Sequence, residues 1–527
     1  MAREATAPER FDAVVVGAGF GGLGAGLEFA ERGLSTCVLE ALVYPGGCAS
    51  TFTRDGYRFE SGATLFSGFG AGQWFERLIA RHRIEVGIDW LDPVIELRTV
   101  GLTLAVPRER AEWQRRLCAL PGAPVDAIER FLERQRRVAD ALWPLLDDPD
   151  LASPFGPRAL AHHARRLHRY PPLLSTVGRT LADIARRDGV WSFEPLRVVL
   201  DALCQITIQT SASEAEAPFA LATLDYPFRG TGHVRGGIGE LAHGLAAAIA
   251  TAGPDGSGVR YARRARAVER VRVDGESLWR VRTSRGQVEA PRLVLNLLPQ
   301  DAARLLDAGG VDRRIARTRL ERDARRVADG GWGACMLYLV VDEPEDAPAK
   351  PQHLELVQDP SAPFVEGNHL FMSISGRDES GATGLGRGGP RAPAGRRTVT
   401  VSTHVPLDRY LALDERGPDG DAASSDRARY VMEIQQRMAR GIEHLAPQWH
   451  AGIVHRLPAS PRTFARFTGR SDGYVGGVPR RRSLAHYLHM GPRVLGPGLL
   501  LVGDSTFPGQ STLATALGGA AAARRSL

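Results

Sequence analysis

Three glycines near the start of the chain have the spacing of a dinucleotide-binding loop. Gly17, Gly19 and Gly22 form the pattern G-x-G-x-x-G. In that pattern the glycines permit a tight turn, a close approach of the backbone to a pyrophosphate, and close helix–strand packing. Glu40 stands about 20 residues further on, where a carboxylate can accept a hydrogen bond from a ribose hydroxyl and disfavours a 2′-phosphate. The residues between the glycines are Ala18, Phe20 and Gly21.

A second segment with the same chemistry lies at the other end of the chain. The apolar run 499–502 is followed directly by Gly503 and Asp504, and then by a Phe-Pro-Gly-Gln sequence. An apolar run of this length is typical of a buried parallel strand. The two segments together predict one dinucleotide held between the beginning and the end of the sequence. This points to FAD, and so to a redox enzyme.

Regular elements must position these residues. The sequence predicts a buried strand over Ala13–Val16, a helix starting near Phe20, and a second strand over Thr36–Leu39 that ends at Glu40. A helix starting at Phe20 would direct its N-terminal amides and the positive end of its dipole at the pyrophosphate. Strand, turn, helix, strand and acid therefore occur in the order that a dinucleotide site requires.

Composition excludes several other classes of function. The net charge of +7 comes almost entirely from arginines, with Lys350 as the single lysine, and no aromatic-interleaved basic motif indicates nucleic-acid binding. The five cysteines are widely spaced without a C-x-x-C pair, which favours reduced thiols in a cytosolic setting and no metal site. The first ten residues do not have the pattern of a signal peptide. No apolar run approaches the length of about 18 residues that a transmembrane helix needs.

Five motifs carry a resemblance over nearly the whole chain. They read VVVGAGFGGL, PGGCASTFTRDGYRFESGATL, HVRGGIGELAHGLAAAI, VLNLLP and LLLVGDSTFPGQ. On these motifs the sequence resembles the FAD-dependent carotenoid desaturase and isomerase family, the phytoene-desaturase-like group. The segment LDALCQITIQTSASEAEAPFALATLDYP is similar to the carotenoid 3,4-desaturase branch, whereas PGGCAS followed by TF is similar to the carotenoid isomerase branch. Both branches stay open.

The resemblance implies cofactor contacts for the matching positions. The glycine loop 17–22 would face the FAD pyrophosphate, and Glu40 would face the adenosine ribose. Val268 would give backbone contacts to adenine. The remaining implied contacts are to the phosphates or ribityl chain, from Gly46, Gly47, Cys48, Gly503 and Asp504, and to the pyrimidine edge of the flavin, from Ser511, Thr512 and Leu513. A helix N-terminus near Ser511 would favour the negative charge of a reduced flavin.

Two positions depart from common forms of the family. Ser511 stands where relatives often have glycine, which affects the backbone path beside the flavin. Cys48 stands where many relatives have arginine, which removes a charge near the cofactor. Neither change is expected to prevent FAD binding.

The predicted fold class is α/β, with a Rossmann-type FAD-binding domain around a parallel sheet, an inserted α+β substrate domain and a helical lid. The FAD-binding domain is predicted to be discontinuous and to comprise residues 1–106, 225–305 and 455–527. Residues 107–224 are predicted to form a helical substrate or lid region. Residues 306–454 are predicted to form a sheet-containing substrate domain with a flexible insertion near 376–397.

The leading functional hypothesis is dehydrogenation of an apolar polyene by hydride transfer to the flavin, as in a carotenoid desaturase. The alternatives are redox-neutral cis–trans isomerisation by reduced FAD, a related saturase, and a flavin-free prenyl-binding protein of the same fold. Side chains would mainly orient the substrate, so no catalytic residue is named. Quinone or oxygen could reoxidise the flavin. Residues 158–174 mix arginine with leucine, which is compatible with peripheral membrane contact, although an ordinary amphipathic surface helix packed on the core is the favoured interpretation.

Overall fold

The computed structural model describes residues 7–62, 64–152, 155–311, 317–381, 388–417 and 421–527. Its central element is a six-stranded sheet with strands from the front, middle and end of the chain. The spatial order is Gly258–Arg260, Thr36–Leu39, Ala13–Val16, Arg292–Asn296, Leu499–Val502 and Arg493–Gly496. Only the last pairing is antiparallel. The prediction of an α/β fold around a parallel sheet is confirmed.

Three helices cover one face of this sheet, namely Phe20–Glu31, Ile238–Ala252 and Thr512–Arg525. The first and last of them pack at backbone contact, since a methyl group at Gly519 would lie 1.9 Å from the carbonyl oxygen of Gly21. A side chain at Gly519 would therefore force these helices apart. The two ends of the chain meet in space, as the sequence predicts.

The opposite face is covered by a four-stranded sheet and a helix. The strands are, in spatial order, Glu9–Arg10, Gly286–Ala290, Glu276–Thr283 and Ala265–Val273, and the helix is Pro299–Ala308. Apolar side chains from both sheets form one buried cluster that includes Val14, Leu293 and Val281. Burial on both faces explains why the central strands are continuous apolar runs.

A seven-stranded sheet forms the second layered unit. Its spatial order is Ile453–Ala459, Trp332–Asp342, Arg396–Pro406, His369–Ile374, Gln352–Val357, Ile95–Thr99 and Leu102–Val106. Helices of the same part of the chain are Arg317–Ala328, Leu407–Ala412, Asp426–Leu445, Pro447–Ala451 and Pro461–Thr468. Asp426–Leu445 packs its apolar face on this sheet through Ile434, Met438 and Ile442.

Two strand pairings cross the predicted domain boundaries. The hairpin Ile95–Thr99 and Leu102–Val106 was assigned to the FAD-binding domain, but it extends the seven-stranded sheet by parallel pairing with Gln352–Val357. Ile453–Ala459 spans the predicted boundary at 455 and pairs with Trp332–Asp342. Alternating sequence patterns identify a strand but do not say which sheet it joins, so these two pairings could not be read from the sequence.

Helices predominate between residues 107 and 224, as predicted. They are Arg110–Cys118, Val125–Asp147, Pro157–Arg166, Pro171–Leu174, Leu181–Asp188, Glu194–Ile208 and Ala217–Thr223. Outside this region lie the helix Trp74–His82 and the strand pairs Thr51–Arg54 with Tyr57–Glu60 and Ile88–Asp89 with His233–Val234. Within the described ranges, no helix combines the length and the apolar character that crossing a bilayer requires.

The predicted flexible insertion near 376–397 includes residues 382–387, which lie outside the described residues. Its described flanks are anchored in the interior of the protein. Glu379 and Arg391 are both buried, with 3.5 Å between a carboxylate oxygen and a guanidinium nitrogen. Glu379 also accepts a hydrogen bond of 2.7 Å from the backbone amide of Gly236. These flanks therefore do not indicate that the insertion is mobile over its whole length.

Candidate cofactor and substrate site

A cavity of about 700 Å³ opens at the carboxyl ends of the central parallel strands. This is where open α/β sheets bind their ligands. Most of the predicted site residues line it, namely Gly17, Gly19, Phe20, Gly21, Glu40, Gly46, Gly47, Cys48, Gly503, Asp504, Ser511, Thr512 and Leu513. Of the predicted set, Ala18, Gly22 and Val268 do not line the cavity in the part of the chain that the structure describes.

The glycine loop has the shape of a pyrophosphate cradle. A methyl group at Gly22 would lie 1.9 Å from the carbonyl oxygen of Gly17, so only glycine fits between the helix and the preceding strand. Asn296 donates a hydrogen bond of 3.2 Å from Nδ2 to the same oxygen and fixes the turn. The helix Phe20–Glu31 begins at the cavity, and no described side chain caps its N-terminus. Its first amides are thus available to an anionic ligand.

Glu40 stabilises this loop from the neighbouring strand. Its carboxylate is 7 % exposed and accepts hydrogen bonds of 2.8 Å from the backbone amides of Ala18 and Leu42. Burial raises the pKa of the Glu40 carboxyl, although these amide donors oppose that shift. A carboxylate has about four lone-pair sites, so capacity remains for a ribose hydroxyl. Ala18 therefore acts through its backbone, without lining the cavity.

Asp504 is paired with an arginine that sequence reasoning missed. Arg470 donates from NH2 to Asp504 Oδ2 at 2.8 Å and from Nε to the carbonyl oxygen of Tyr474 at 2.6 Å. Both Arg470 and Cys48 line the cavity. Burial raises the pKa of the Cys48 thiol, while Arg470 opposes the shift. A cation thus lies near the position where relatives often carry an arginine, but it comes from a distant segment.

Ser511 has a backbone conformation that L-residues rarely adopt, with φ 110° and ψ 156°. It is the N-cap of Thr512–Arg525, and its hydroxyl accepts a hydrogen bond of 3.0 Å from the amide of Ala514. Ser511 thus has the backbone conformation of a glycine and in addition caps the helix with its hydroxyl. The family departure at this position therefore leaves the helix N-terminus at the cavity.

Val268 is not brought to the cavity. It is fully buried within the strand Ala265–Val273, between the two sheets of the nucleotide-binding region. The part of that strand at the cavity is its first residue, Ala265, together with the preceding Arg263 and Arg264. The structure thus offers this earlier segment, rather than Val268, to a ligand near Glu40.

The cavity continues into an apolar compartment. Its walls come from the helical region and from the seven-stranded sheet, through Trp143, Leu146, Ile206, Ile208, Phe219, Tyr226, Met336 and Phe371. Three histidines also line the cavity, and burial lowers the pKa of His404 to about 3 and those of His486 and His489 to about 4. They are neutral at physiological pH. The sequence predicted an apolar substrate but not the residues that would contact it, because they lie on elements far apart in the chain.

Comparisons with known proteins agree with this geometry. Residues 15–81 match the family model of an NAD(P)-binding Rossmann-like domain. The chain is 24 % identical over 535 residues to a chloroplastic prolycopene isomerase of Daucus carota, which covers 98 % of this chain and 80 % of that protein. It is 27 % identical over 47 % of its length to 40 % of the human all-trans-retinol 13,14-reductase.

A solved structure of putrescine oxidase with bound putrescine superposes with a TM-score of 0.62 at 15 % identity, over 99 % of both chains, and shows the fold. These findings, together with the open helix N-terminus and the glycine cradle, support the prediction of FAD as the cofactor. The chain is similar to prolycopene isomerases over 98 % of its length, and its resemblance to the FAD-dependent carotenoid desaturase and isomerase family is confirmed.

Proposed function

We propose that the protein is an FAD-dependent enzyme that acts on an apolar polyene, with cis–trans isomerisation as the first candidate reaction and dehydrogenation as the second. The observation that carries the proposal is one cavity that joins a dinucleotide cradle to an apolar compartment. The sequence ranked dehydrogenation first. The relatives that cover 98 % of the chain bear the name prolycopene isomerase, and this favours isomerisation.

When bound, FAD supplies the capacity to accept or return a hydride, and the chain supplies position and environment. The glycine loop and the amides of Phe20–Glu31 would hold the pyrophosphate. The N-terminus of Thr512–Arg525 favours negative charge on the neighbouring part of the cofactor. The apolar walls, including Met336 and Phe371, align an extended hydrocarbon and exclude water. Such chemistry does not require a side chain that acts as general acid or base.

Product mass distinguishes the candidate reactions. The protein would be expressed in hosts that accumulate a defined cis-polyene, and the pigments would be analysed by chromatography, absorption and mass spectrometry. Isomerisation changes retention and absorption at constant mass, dehydrogenation removes two hydrogens, and a saturase adds two. A Gly22→Ala variant is the matched control, because the added methyl group would displace the cradle. Pigments identical to those of the control strain would refute the proposed function.

We also propose that the protein meets its substrate at a membrane surface. Exposed apolar side chains stand among arginines in the segment 155–174, namely Phe155, Leu160, Leu167 and Leu174. On a neighbouring rim, Leu488 is 83 % exposed, whereas His489 of the same 3-10 helix lines the cavity. Apolar tips with basic neighbours favour the interface of an anionic bilayer.

Liposome flotation tests the membrane proposal. Wild-type protein is expected to float with anionic vesicles, and a Leu167→Ser/Leu488→Ser double variant is expected to float less. Val43 is also exposed, on the cofactor side, and Val43→Ser is the matched control. Equal flotation of all three proteins would contradict this part of the proposal.

A further inference from the structure

One wall of the cavity carries basic side chains that are not among the residues assigned to the cofactor. This basic wall consists of Arg326, Arg480, His486, His489 and Arg493. Arg326 NH2 lies 3.4 Å from His486 Nδ1, and Arg493 NH2 lies 3.1 Å from His489 Nδ1. Nδ1 of each histidine accepts from a guanidinium, so both imidazoles are neutral. The positive charge of the wall is therefore carried by its three arginines.

The basic wall is separate from the pyrophosphate cradle. Arg493 begins the edge strand of the central sheet, Arg493–Gly496. The strand that leads into the glycine loop, Ala13–Val16, is three positions away in the sheet. At roughly 4.8 Å per strand, the lateral distance is about 14 Å. An anion on the wall would thus be a second ligand group in the same cavity.

Arg480 is the member of the wall with the fewest polar contacts. Its side chain is 14 % exposed, and its guanidinium carbon lies 3.3 Å from the ring centroid of Phe219. Nε and NH2 are buried with no hydrogen-bond partner among the described residues, and the ion-pair oxygen of Glu216 is 3.6 Å from Nε. Buried guanidinium groups are normally hydrogen-bonded. Both carboxylate oxygens of Glu216 are buried as well and have no hydrogen-bond partner among the described residues, so the two groups form an ion pair without a close hydrogen bond. Arg480 also lines the cavity, where an anionic ligand could give its guanidinium the acceptor that Glu216 does not offer at hydrogen-bond distance.

The charges around the wall leave it positive. Asp323 accepts a hydrogen bond of 3.0 Å from Arg493 NH2 and lies 3.7 Å from Arg326, and Glu216 forms an ion pair with Arg480. Among the residues that the structure describes, neither acid lines the cavity. The wall therefore presents three guanidinium groups to the cavity, and only two carboxylates outside the cavity lining balance their charge. Burial lowers the pKa of Arg326 and of Arg480, and the neighbouring arginines add to the effect at Arg326.

We propose that the basic wall binds the carboxylate of a polyene acid, with Arg480 as the main contact. The hydrocarbon chain of this substrate would extend from Phe219 along the apolar compartment towards the flavin site. A planar guanidinium presents parallel N–H donors that match a carboxylate. A hydrocarbon end would leave these donors without an acceptor. This inference rests on the proposed function and narrows its substrate to polyenes with an acidic end.

Ligand binding tests the inference without relying on turnover. FAD-loaded protein is titrated with retinoic acid and with retinol, which share a polyene and differ in the end group, and quenching of tryptophan fluorescence is measured. Wild-type protein is expected to bind the acid about 10- to 100-fold more tightly, the effect of a charge-assisted hydrogen bond. Arg480→Gln should remove this preference and leave retinol binding unchanged. Arg482→Gln is the matched control, because Arg482 is exposed two residues away.

Several outcomes would overturn the inference. Equal affinity of the wild-type protein for acid and alcohol would do so without any variant, as would equal loss of both ligands in Arg480→Gln. If that variant does not fold, Arg326→Gln takes its place. NADPH binding that requires Arg480, without a preference for the acid, would assign the wall to a phosphate and contradict the proposal. Selective acid binding by a protein that leaves polyene acids as well as every host pigment unchanged would instead count against the proposed function.

Discussion

Replacing Ser511 with glycine is expected to stabilise the protein, whereas replacing it with alanine should destabilise it. A non-glycine residue at φ 110° carries backbone strain of about 1–3 kcal/mol. Glycine removes this strain, while losing the cap costs only a few tenths of a kcal/mol and the freer unfolded chain costs about 0.4–1 kcal/mol. The free energy of unfolding should therefore rise by about 1 kcal/mol.

Alanine keeps the strain and loses the hydrogen bond from Ala514, which costs about 1 kcal/mol. The glycine variant should thus exceed the alanine variant by about 2 kcal/mol. This ordering is informative because glycine normally destabilises a helix boundary relative to serine. It depends directly on the backbone conformation at Ser511.

Urea unfolding measures the difference, with far-UV circular dichroism and flavin absorbance as parallel probes. Thr180 provides the matched control, because it caps a helix through Asp183 at an ordinary φ of −90°. Thr180→Gly should give no stabilisation, and Thr180→Ala should lose about 1 kcal/mol. A Ser511→Gly variant less stable than wild type, or as unaffected as Thr180→Gly, would refute the assignment of strain to Ser511.

Three further predictions follow from the same site. Gly22→Ala should yield protein without bound flavin, because its methyl group would lie 1.9 Å from a carbonyl oxygen. Gly156→Ala has open space around the added methyl group and should stay yellow. Equal flavin content in both variants would contradict the claim that the glycine loop binds the cofactor. Arg470→Gln should weaken FAD binding about 10-fold or more in an equilibrium titration, because Asp504 loses its 2.8 Å charge-assisted partner, whereas the exposed Arg466→Gln should not. Stability should fall as pH drops from about 6.5 towards 4, because the folded-state pKa values of His404 and His486 lie below the unfolded value and the unfolded chain binds more protons in that window. His486→Gln should flatten the stability-versus-pH curve over that range, and an unchanged slope would show that His486 is not held neutral.

Sequence reasoning succeeded where the signal is local. Gly17 to Gly22 and Glu40 belong to one strand–helix–strand unit, so their spacing alone predicts their meeting. It also placed Gly503 and Asp504 beside them, because a buried parallel strand has few other positions available. These are the residues whose partners are set by backbone geometry.

Contacts between distant segments could not be predicted from the sequence. Arg470 is one arginine among many, and only the packing of Pro461–Thr468 brings it to Asp504. Asn296 similarly gains its role from strand order, since Arg292–Asn296 lies between the first and last apolar strands of the sheet. Val268 was assigned by resemblance, and the strand turns it into the core. Side-chain direction and sheet membership follow from tertiary packing, which periodicity does not encode.

The most direct test of the account is a single-turnover reaction on the purified, FAD-loaded protein. A poly-cis carotenoid in detergent is mixed anaerobically with the protein, once with oxidised and once with chemically reduced flavin. The account predicts a polyene isomer of unchanged mass with the reduced flavin, and any dehydrogenation with oxidised flavin must reduce one FAD for each pair of hydrogens lost. A polyene unchanged in both reactions, with a flavin spectrum that does not respond to it, would contradict the claim that cofactor and polyene share this cavity.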